Sequence, residues 1–374
     1  MDAAKQVKQH ILIALQSFET GGAERQASYL ARGVKAKGYQ VTVLAFGKRR
    51  GHLPELLESY GVDIISTNFP YRLLLDSRGS LKAFLLKVKY EVVLIGLVRK
   101  IKPHVIVPFT YPSNFIFSNL SRRLGVSKIF WNQRDAGFGF QGKPREKKLL
   151  EKVSALITNS QEGKNFLRQY TSRSIHHIPN GIEVPEYFNI KGETKHKELR
   201  IVMVANLHRN KDHMTLLKAW KKLIQDGQSE LILFLAGRED DSAQTIKSYI
   251  QENNLEQTVK LLGAVKDVYS LLSSCHLAVF SSYKEGLPNG VLECMAAGLP
   301  VVATRITGTI EALGDDYPYL AEPGNPVDLA EKIGGFLADE DLRNVIGTKN
   351  RERVRREFGM EKMVESYINL IERN

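Results

Sequence analysis

Two carboxylates eight positions apart, Glu285 and Glu293, stand in the stretch Ser281-Ser-Tyr-Lys-Glu-Gly-Leu-Pro-Asn-Gly-Val-Leu-Glu-Cys-Met-Ala-Ala297. Glu285 falls in a loop containing Gly286 and Pro288. Glu293 falls about one turn into a helix pattern, a rise of roughly 6 Å from its start at about 1.5 Å per residue. Acids so placed can grip two parts of one polar ligand, while the first turn of the helix presents backbone N–H groups to an anion. Acids flanking a helix start are also stabilised there without any ligand, so an isolated pair reads first as solvated surface, and it is the context that points to a ligand. A second group supplies the opposite charge: His208, Arg209 and Lys211 follow Asn206 at another strand-to-helix turn, where cations would neutralise an anionic leaving group.

Both groups need strands to carry them. The apolar run His276–Phe280 is too short for a helix and reads as a buried parallel strand, with Asn289 as N-cap of the helix that follows and Gly298 and Pro300 closing it. Leu199–Ala205 is the strand before the basic loop, and Leu231–Gly237 and Val259–Gly263 are further strands. The first half shows the same alternation, with strands at 10–15, 40–46, 62–65, 104–107, 127–131 and 155–158 and helical segments between them. Repeated strand–helix alternation argues for parallel sheets, whose ligands bind beyond the carboxyl ends of the strands. Gly21-Gly22 after the first strand would let backbone approach a ligand, or would simply make a tight turn. Arg134 and Asp135 follow the strand ending at Trp131, as a substrate contact or as a pair holding the loop. His176 and His177 are adjacent, face opposite ways on a strand and cannot chelate one metal. Glu239-Asp-Asp241 reads as a solvated helix start, and 325–374 as helices broken at Gly347 and Gly359.

A length of 374 residues suggests two or three domains, and 43% apolar with 25% charged residues is the composition of a globular protein. Cys275 and Cys294 lie in apolar segments, which points to buried thiols in a reducing cytoplasm. Met1–Gln9 is polar and no run of about 18 apolar residues occurs, so neither a secretory segment nor a membrane span is expected. Charge is uneven. Residues 1–190 hold 29 Lys and Arg against 14 Asp and Glu, whereas 191–374 hold 24 against 27. A basic half suits an anionic membrane surface or a solvated face; with no zinc-finger spacing, aromatic-basic motif or basic zipper, nucleic acid is not an expected partner. Leu81–Lys102, apolar over a wide arc and carrying Lys82, Lys87, Lys89, Arg99, Lys100 and Lys102 against Glu91, reads as an interfacial helix or as one packed on the sheet.

Glu285-Gly-Leu-Pro-Asn-Gly-Val-Leu-Glu293 with Met295-Ala-Ala-Gly-Leu-Pro-Val-Val-Ala303 resembles the glutamate-seven-glutamate signature of family 4 retaining glycosyltransferases. Gly21-Gly-Ala-Glu-Arg25, Pro179-Asn-Gly-Ile182 and Val204-Ala-Asn-Leu207 with Lys211 extend the resemblance along nearly the whole chain. It implies the α/β GT-B fold: an N-terminal acceptor-binding Rossmann-like domain at 1–185, a linker at 186–198, a nucleotide-sugar-binding domain at 199–358, and a helix at 359–374 crossing back to the first domain. It also implies sugar transfer, with retained anomeric configuration, from a nucleotide diphosphate sugar such as a UDP-sugar to a hydroxyl on a lipid-linked or cell-envelope polysaccharide acceptor. The enzyme would be cytoplasmic, or peripheral on the inner membrane face, with no cofactor or metal. By resemblance Glu285 holds the donor sugar, Glu293 the ribose, and Lys211 and Arg209 the diphosphate. Gly21, Gly22, Gly286, Leu287, Pro288 and Asn289 line the donor, Gly237 belongs to the donor site, and Val265 and Lys266 meet the base. Asn206 stands where relatives carry an Arg, Thr309 where a second Gly is common, and Arg134 and Asp135 where many relatives carry a His. Two other classes fit the same residues: a nucleotide-sugar epimerase or hydrolase, which would need no acceptor, and a non-catalytic binding subunit.

Overall fold

The apolar run of β1 (His10–Leu15) divides its side chains between two layers. Ile11, Ile13 and Leu15 enter one core cluster, and Leu12 and Ala14 enter another. A strand covered on both faces has no polar alternation to show, which is why these strands read as continuous apolar runs. The structure, a computed structural model, describes residues 8–19, 21–75, 80–135, 137, 139–186 and 198–373. These fall into two units, within Met1–Gly181 plus Met360–Asn374 and within Ile182–Gly359. The expected linker lies almost wholly outside the described residues.

The first unit follows β1 with α1 (Gly22–Ala36), β2 (Gln40–Ala45), α2 (Leu53–Ser59), β3 (Asp63–Ser66), α3 (Tyr71–Leu75), α4 (Leu81–Ile101), β4 (Val105–Pro108) and α5 (Tyr111–Leu124). It continues through β5 (Lys128–Gln133), α6 (Pro144–Leu150), β6 (Ala155–Thr158), α7 (Gln161–Arg168) and β7 (Ile175–His177). The strands make one parallel sheet in the order β3-β2-β1-β4-β5-β6-β7, with Ile13 of β1 paired to Val43 on one side and Val107 on the other. Leu94 and Val98 of α4 join Ile116, Phe117, Leu120 and Leu124 of α5 over one face.

The second unit runs β8 (Leu199–Val204), α8 (His213–Gln225), β9 (Leu231–Ala236), α9 (Ala243–Glu252), β10 (Val259–Gly263), α10 (Val268–Ser273) and β11 (Leu277–Phe280). Then come α11 (Asn289–Ala296), β12 (Val301–Thr304), α12 (Thr307–Leu313), β13 (Leu320–Ala321), α13 (Pro326–Leu337) and α14 (Glu340–Phe358). Its parallel sheet has the order β10-β9-β8-β11-β12-β13, and Ala278 of β11 pairs with Val202 and Val301. The final helix, α15 (Met360–Glu372), belongs to the first unit: Met363, Val364, Tyr367 and Ile371 enter its core. Gly33 makes room for it, since a Cβ there would stand 2.3 Å from Val364 Cγ2.

Two readings change. Gly347 does not break a helix; α14 runs through it, because a Cβ there would meet the Gly298 carbonyl oxygen at 1.9 Å and glycine alone lets the helix pack so closely. Pro288, rather than Asn289, occupies the N-cap of α11, with no side-chain cap, and its carbonyl accepts the Leu292 N–H. No helix among the described residues is long and apolar enough to cross a membrane.

Candidate active site

Strands β8 and β11 are neighbours in the second sheet, so the loops leaving their carboxyl ends meet. Ser282 fastens them: its Oγ lies 2.7 Å from the Asn210 carbonyl and 2.8 Å from Glu285 Oε1, and the Tyr283 N–H donates to the same carbonyl at 3.0 Å. Ser282 is itself fixed by Thr304 at the end of β12, which accepts its N–H at 3.0 Å and donates to its carbonyl at 2.8 Å. Within this frame Lys211 Nζ lies 2.5 Å from Glu285 Oε1 and 4.8 Å from the Phe280 ring centroid. The two side chains are 22% and 15% exposed, sheltered enough to strengthen charge interactions yet open to a ligand.

The main chain of Lys211 is held as firmly as its side chain. Its carbonyl accepts the His213 N–H at 2.6 Å and lies 2.7 Å from His213 Nδ1, so that nitrogen carries the ring proton. Burial lowers the His213 pKa to about 4 and keeps the ring neutral. Asp212 caps α8, accepting the Thr215 N–H at 3.1 Å.

Three glycines bring these loops together at backbone distance. A Cβ on Gly237 would lie 2.0 Å from the Ala205 carbonyl oxygen, one on Gly290 2.3 Å from that of Val204, and one on Gly308 1.7 Å from that of Gly286. The last contact seats the Glu285-Gly286 loop on the first turn of α12. That helix is anchored in turn by buried Thr309, whose hydroxyl meets the Thr304 and Ile306 carbonyls. Leu287 and Pro288 are buried, the amides of Gly290 and Val291 open α11 without an acceptor inside the helix, and Glu293 in α11 is 2% exposed.

Other expected residues have different surroundings. Arg209 points outward at 81% exposure beside Asp241, with its N–H on Asp241 Oδ1 at 2.8 Å and its Nε 3.7 Å from Oδ2, rather than joining Lys211. The acidic segment is solvated as expected, and its Asp241 also fastens this loop. Asn206 Oδ1 accepts the Arg238 N–H at 3.1 Å and ties β8 to β9. Val265 is half-buried and Lys266 exposed beyond β10, two strands from β8.

In the first unit Gly21 is the N-cap of α1 with extended backbone, and Glu24 Oε2 would lie 2.6 Å from a Cβ there. Gly22 is the first residue of that helix. Arg134 and Asp135 go different ways, so the loop is not held by their pairing. Arg134 bonds Asn180 Oδ1 and, at 3.3 Å, Tyr367 Oη, with its guanidinium 5.0 Å from the Phe109 ring. Asp135 accepts from Gln133 Nε2 at 2.7 Å and from the Gly137 N–H at 2.8 Å. Phe109, just past the end of β4, and Tyr367 of α15 take up the guanidinium instead.

Ser282, His213 and Thr304 were not expected from the sequence. A Ser three residues before Glu285 at a strand end was the one available signal. Among the described residues no three His, Cys, Asp or Glu side chains are placed to hold a metal ion.

Family models match both halves: "Glycosyltransferase Family 4" over residues 20–185 and "Glycosyl transferases group 1" over 186–353. The chain belongs to the family 4 glycosyltransferases of the GT-B fold. Among relatives, N-acetyl-alpha-D-glucosaminyl L-malate synthase of Bacillus anthracis is 30% identical over 168 residues, covering 45% of this chain and 43% of the relative. N,N'-diacetylbacillosaminyl-diphospho-undecaprenol alpha-1,3-N-acetylgalactosaminyltransferase of Campylobacter jejuni is 29% identical over 205 residues, 52% of each. The chain thus spans about half the length of these curated relatives. Anabaena Alr3699/HepE, solved with UDP and glucose, superposes with TM-score 0.77 at 20% identity, covering 96% of this chain and 98% of that one. The sucrose-phosphate synthase of Thermosynechococcus elongatus superposes at 0.78, also at 20% identity, covering 97% and 98%. At such identity these neighbours show the family's fold.

Proposed function

We propose that this chain is a retaining, metal-independent glycosyltransferase that moves a sugar from a UDP-sugar to a hydroxyl of a lipid-linked or cell-envelope polysaccharide acceptor. The observation that carries the reading is the Lys211–Glu285 pair, held by Ser282 between the carboxyl ends of β8 and β11 beside the first turn of α11. A cation next to a helix N-terminus suits a diphosphate, and a carboxylate next to that cation suits the hydroxyls of the attached sugar. The family membership, the UDP and glucose in the Anabaena neighbour, and the diphospho-undecaprenol in the Campylobacter relative's name support the choice of substrates.

Cleavage of the donor's glycosidic bond leaves an oxocarbenium-like sugar and a diphosphate that gains negative charge. Lys211 and the α11 amides stabilise that charge, which is largest in the transition state and therefore lowers the barrier. Glu285 orients the donor sugar and Glu293 the ribose hydroxyls. The departing phosphate oxygen takes the acceptor's proton, so no separate base is required. Arg209 joins the diphosphate by leaving Asp241, and an exposed pair of that kind holds it by about 1 kcal/mol or less.

The test is a thermal-shift and turnover screen of UDP, GDP and ADP sugars in EDTA, with and without a lipid-linked acceptor pool. Stabilisation by UDP-sugar with acceptor-dependent release of UDP supports the reading. Release without acceptor replaces it with a hydrolase or epimerase, and stabilisation by none of the donors removes it.

A further inference from the structure

Helix α4 is apolar on two faces, and only one of them is covered. Glu91, Leu94 and Val98 are buried toward the core of the first unit, with Glu91 bonded by Arg123 at 3.0 Å and approached by Lys87 at 4.0 Å. On the adjoining face Leu81, Phe84, Leu85, Val88 and Val92 are between 41% and 75% exposed. At 100° per residue these five fall within an arc of about 100°, a single stripe along the helix. Eleven large hydrophobic side chains are exposed among the described residues, and six of them are on this helix. Isolated exposed apolar residues are ordinary, but a contiguous stripe marks a surface that something covers.

Charge identifies what covers it. Lys82, Lys89 and Lys100 are all exposed and project along one edge of the stripe, within about 20° of one another by the same helical geometry. Lys82 and Lys89 join Leu81, Leu85 and Leu86 in lining a shallow groove. The only acid of the 21-residue helix, Glu91, borders the stripe beside Phe84, but it is buried and its charge is met by Arg123. We propose that the outer stripe of α4 docks on an anionic lipid bilayer, lying in the plane of the interface. The apolar side chains enter the acyl boundary, and the lysines keep their stems on the groove and their ammonium groups at the phosphates. Because the inner face is already packed in the core, the helix is formed before it meets the bilayer and no folding opposes binding. The inference rests on α4 alone and stands whether or not the sugar acceptor is lipid-linked.

The full-length chain is mixed with vesicles of phosphatidylcholine alone, or with about a third phosphatidylglycerol, and floated on a density gradient. The chain should float with the anionic vesicles and stay behind with the neutral ones. The double substitution L85E/V92E, at exposed positions, should lower binding about tenfold or more with the melting temperature unchanged. K82Q/K89Q should lower it severalfold and weaken its dependence on salt. The proposal is overturned if the native chain ignores anionic vesicles, or if L85E/V92E binds as the native chain does. It is equally overturned if light scattering shows a dimer that L85E/V92E separates while vesicles bind neither form, which would give the stripe to a second copy of this chain.

Discussion

Replacing Gly308 with Ala tests whether the Glu285-Gly286 loop belongs to the reacting site. The added Cβ would stand 1.7 Å from the Gly286 carbonyl oxygen, whereas real Cβ contacts stay beyond 3.0 Å. The loop or α12 must therefore move by about 1.3 Å to reach that limit. Thr309, fully buried and bonded to two carbonyls, anchors α12, so most of the displacement goes to the loop, whose Glu285 is half-buried beside it. A misplacement of about 1 Å in a positioning element lowers turnover about a hundredfold, equivalent to about 2.7 kcal/mol of lost transition-state stabilisation. Overpacking alone should reduce stability by about 1–3 kcal/mol. The assay is kcat/KM for the donor alongside thermal unfolding. Gly335→Ala in α13 is the control, since a Cβ there meets nothing within 4 Å and should raise stability by up to about 1 kcal/mol without touching turnover. If Gly308→Ala lowers the melting temperature and leaves kcat/KM within about twofold of the native value, the loop does not position the donor.

Further predictions follow from the same contacts. Neutral His213, with its pKa lowered by burial to about 4 from 6.5, binds a proton more readily when unfolded, so stability is present above about pH 6.5 and lost as pH falls through 4, by about 3 kcal/mol in all. His213→Asn keeps a donor for the Lys211 carbonyl and should flatten the melting-temperature profile across that window; an unchanged slope refutes the assignment. Arg134→Ala removes the bonds to Asn180 and Tyr367 and the packing on Phe109, and should destabilise by about 2–4 kcal/mol in urea unfolding. An unaltered midpoint with a raised acceptor KM would instead give Arg134 to the substrate. Burial pushes the Cys275 thiol up to about 12 and Cys294 well above its usual value, so native protein at pH 8 should resist iodoacetamide and both thiols should react on unfolding. Glu293→Gln should raise donor KM more than it lowers kcat, and an unchanged KM would remove Glu293 from the ribose.

The parts of this molecule legible in its sequence are those whose cause is local. A strand sandwiched between helix layers needs apolar residues on both faces, so β1 and β11 could be placed within a residue or so. Lys211 and Glu285 could be named as partners of one ligand by resemblance, but no spacing rule brings together residues on separate strand-to-helix loops. Their contact depends on β8 lying next to β11 in the sheet order. Gly347 misled for the same reason: a glycine in a helical run reads as a break until the carbonyl packed against it is known, and Gly298 lies on another helix's end. His213 went unread because it acts on a backbone carbonyl, which every residue carries and no sequence pattern marks, and the same holds for the tie of Ser282 to the Asn210 carbonyl on another strand's loop. Helix α4 shows the opposite limit. Its periodicity is apolar nearly all round, so composition could not tell a buried face from an exposed one; the neighbouring α5 and the ladder β1-β4 decide which stripe is covered, and what they leave uncovered is the stripe edged with lysine.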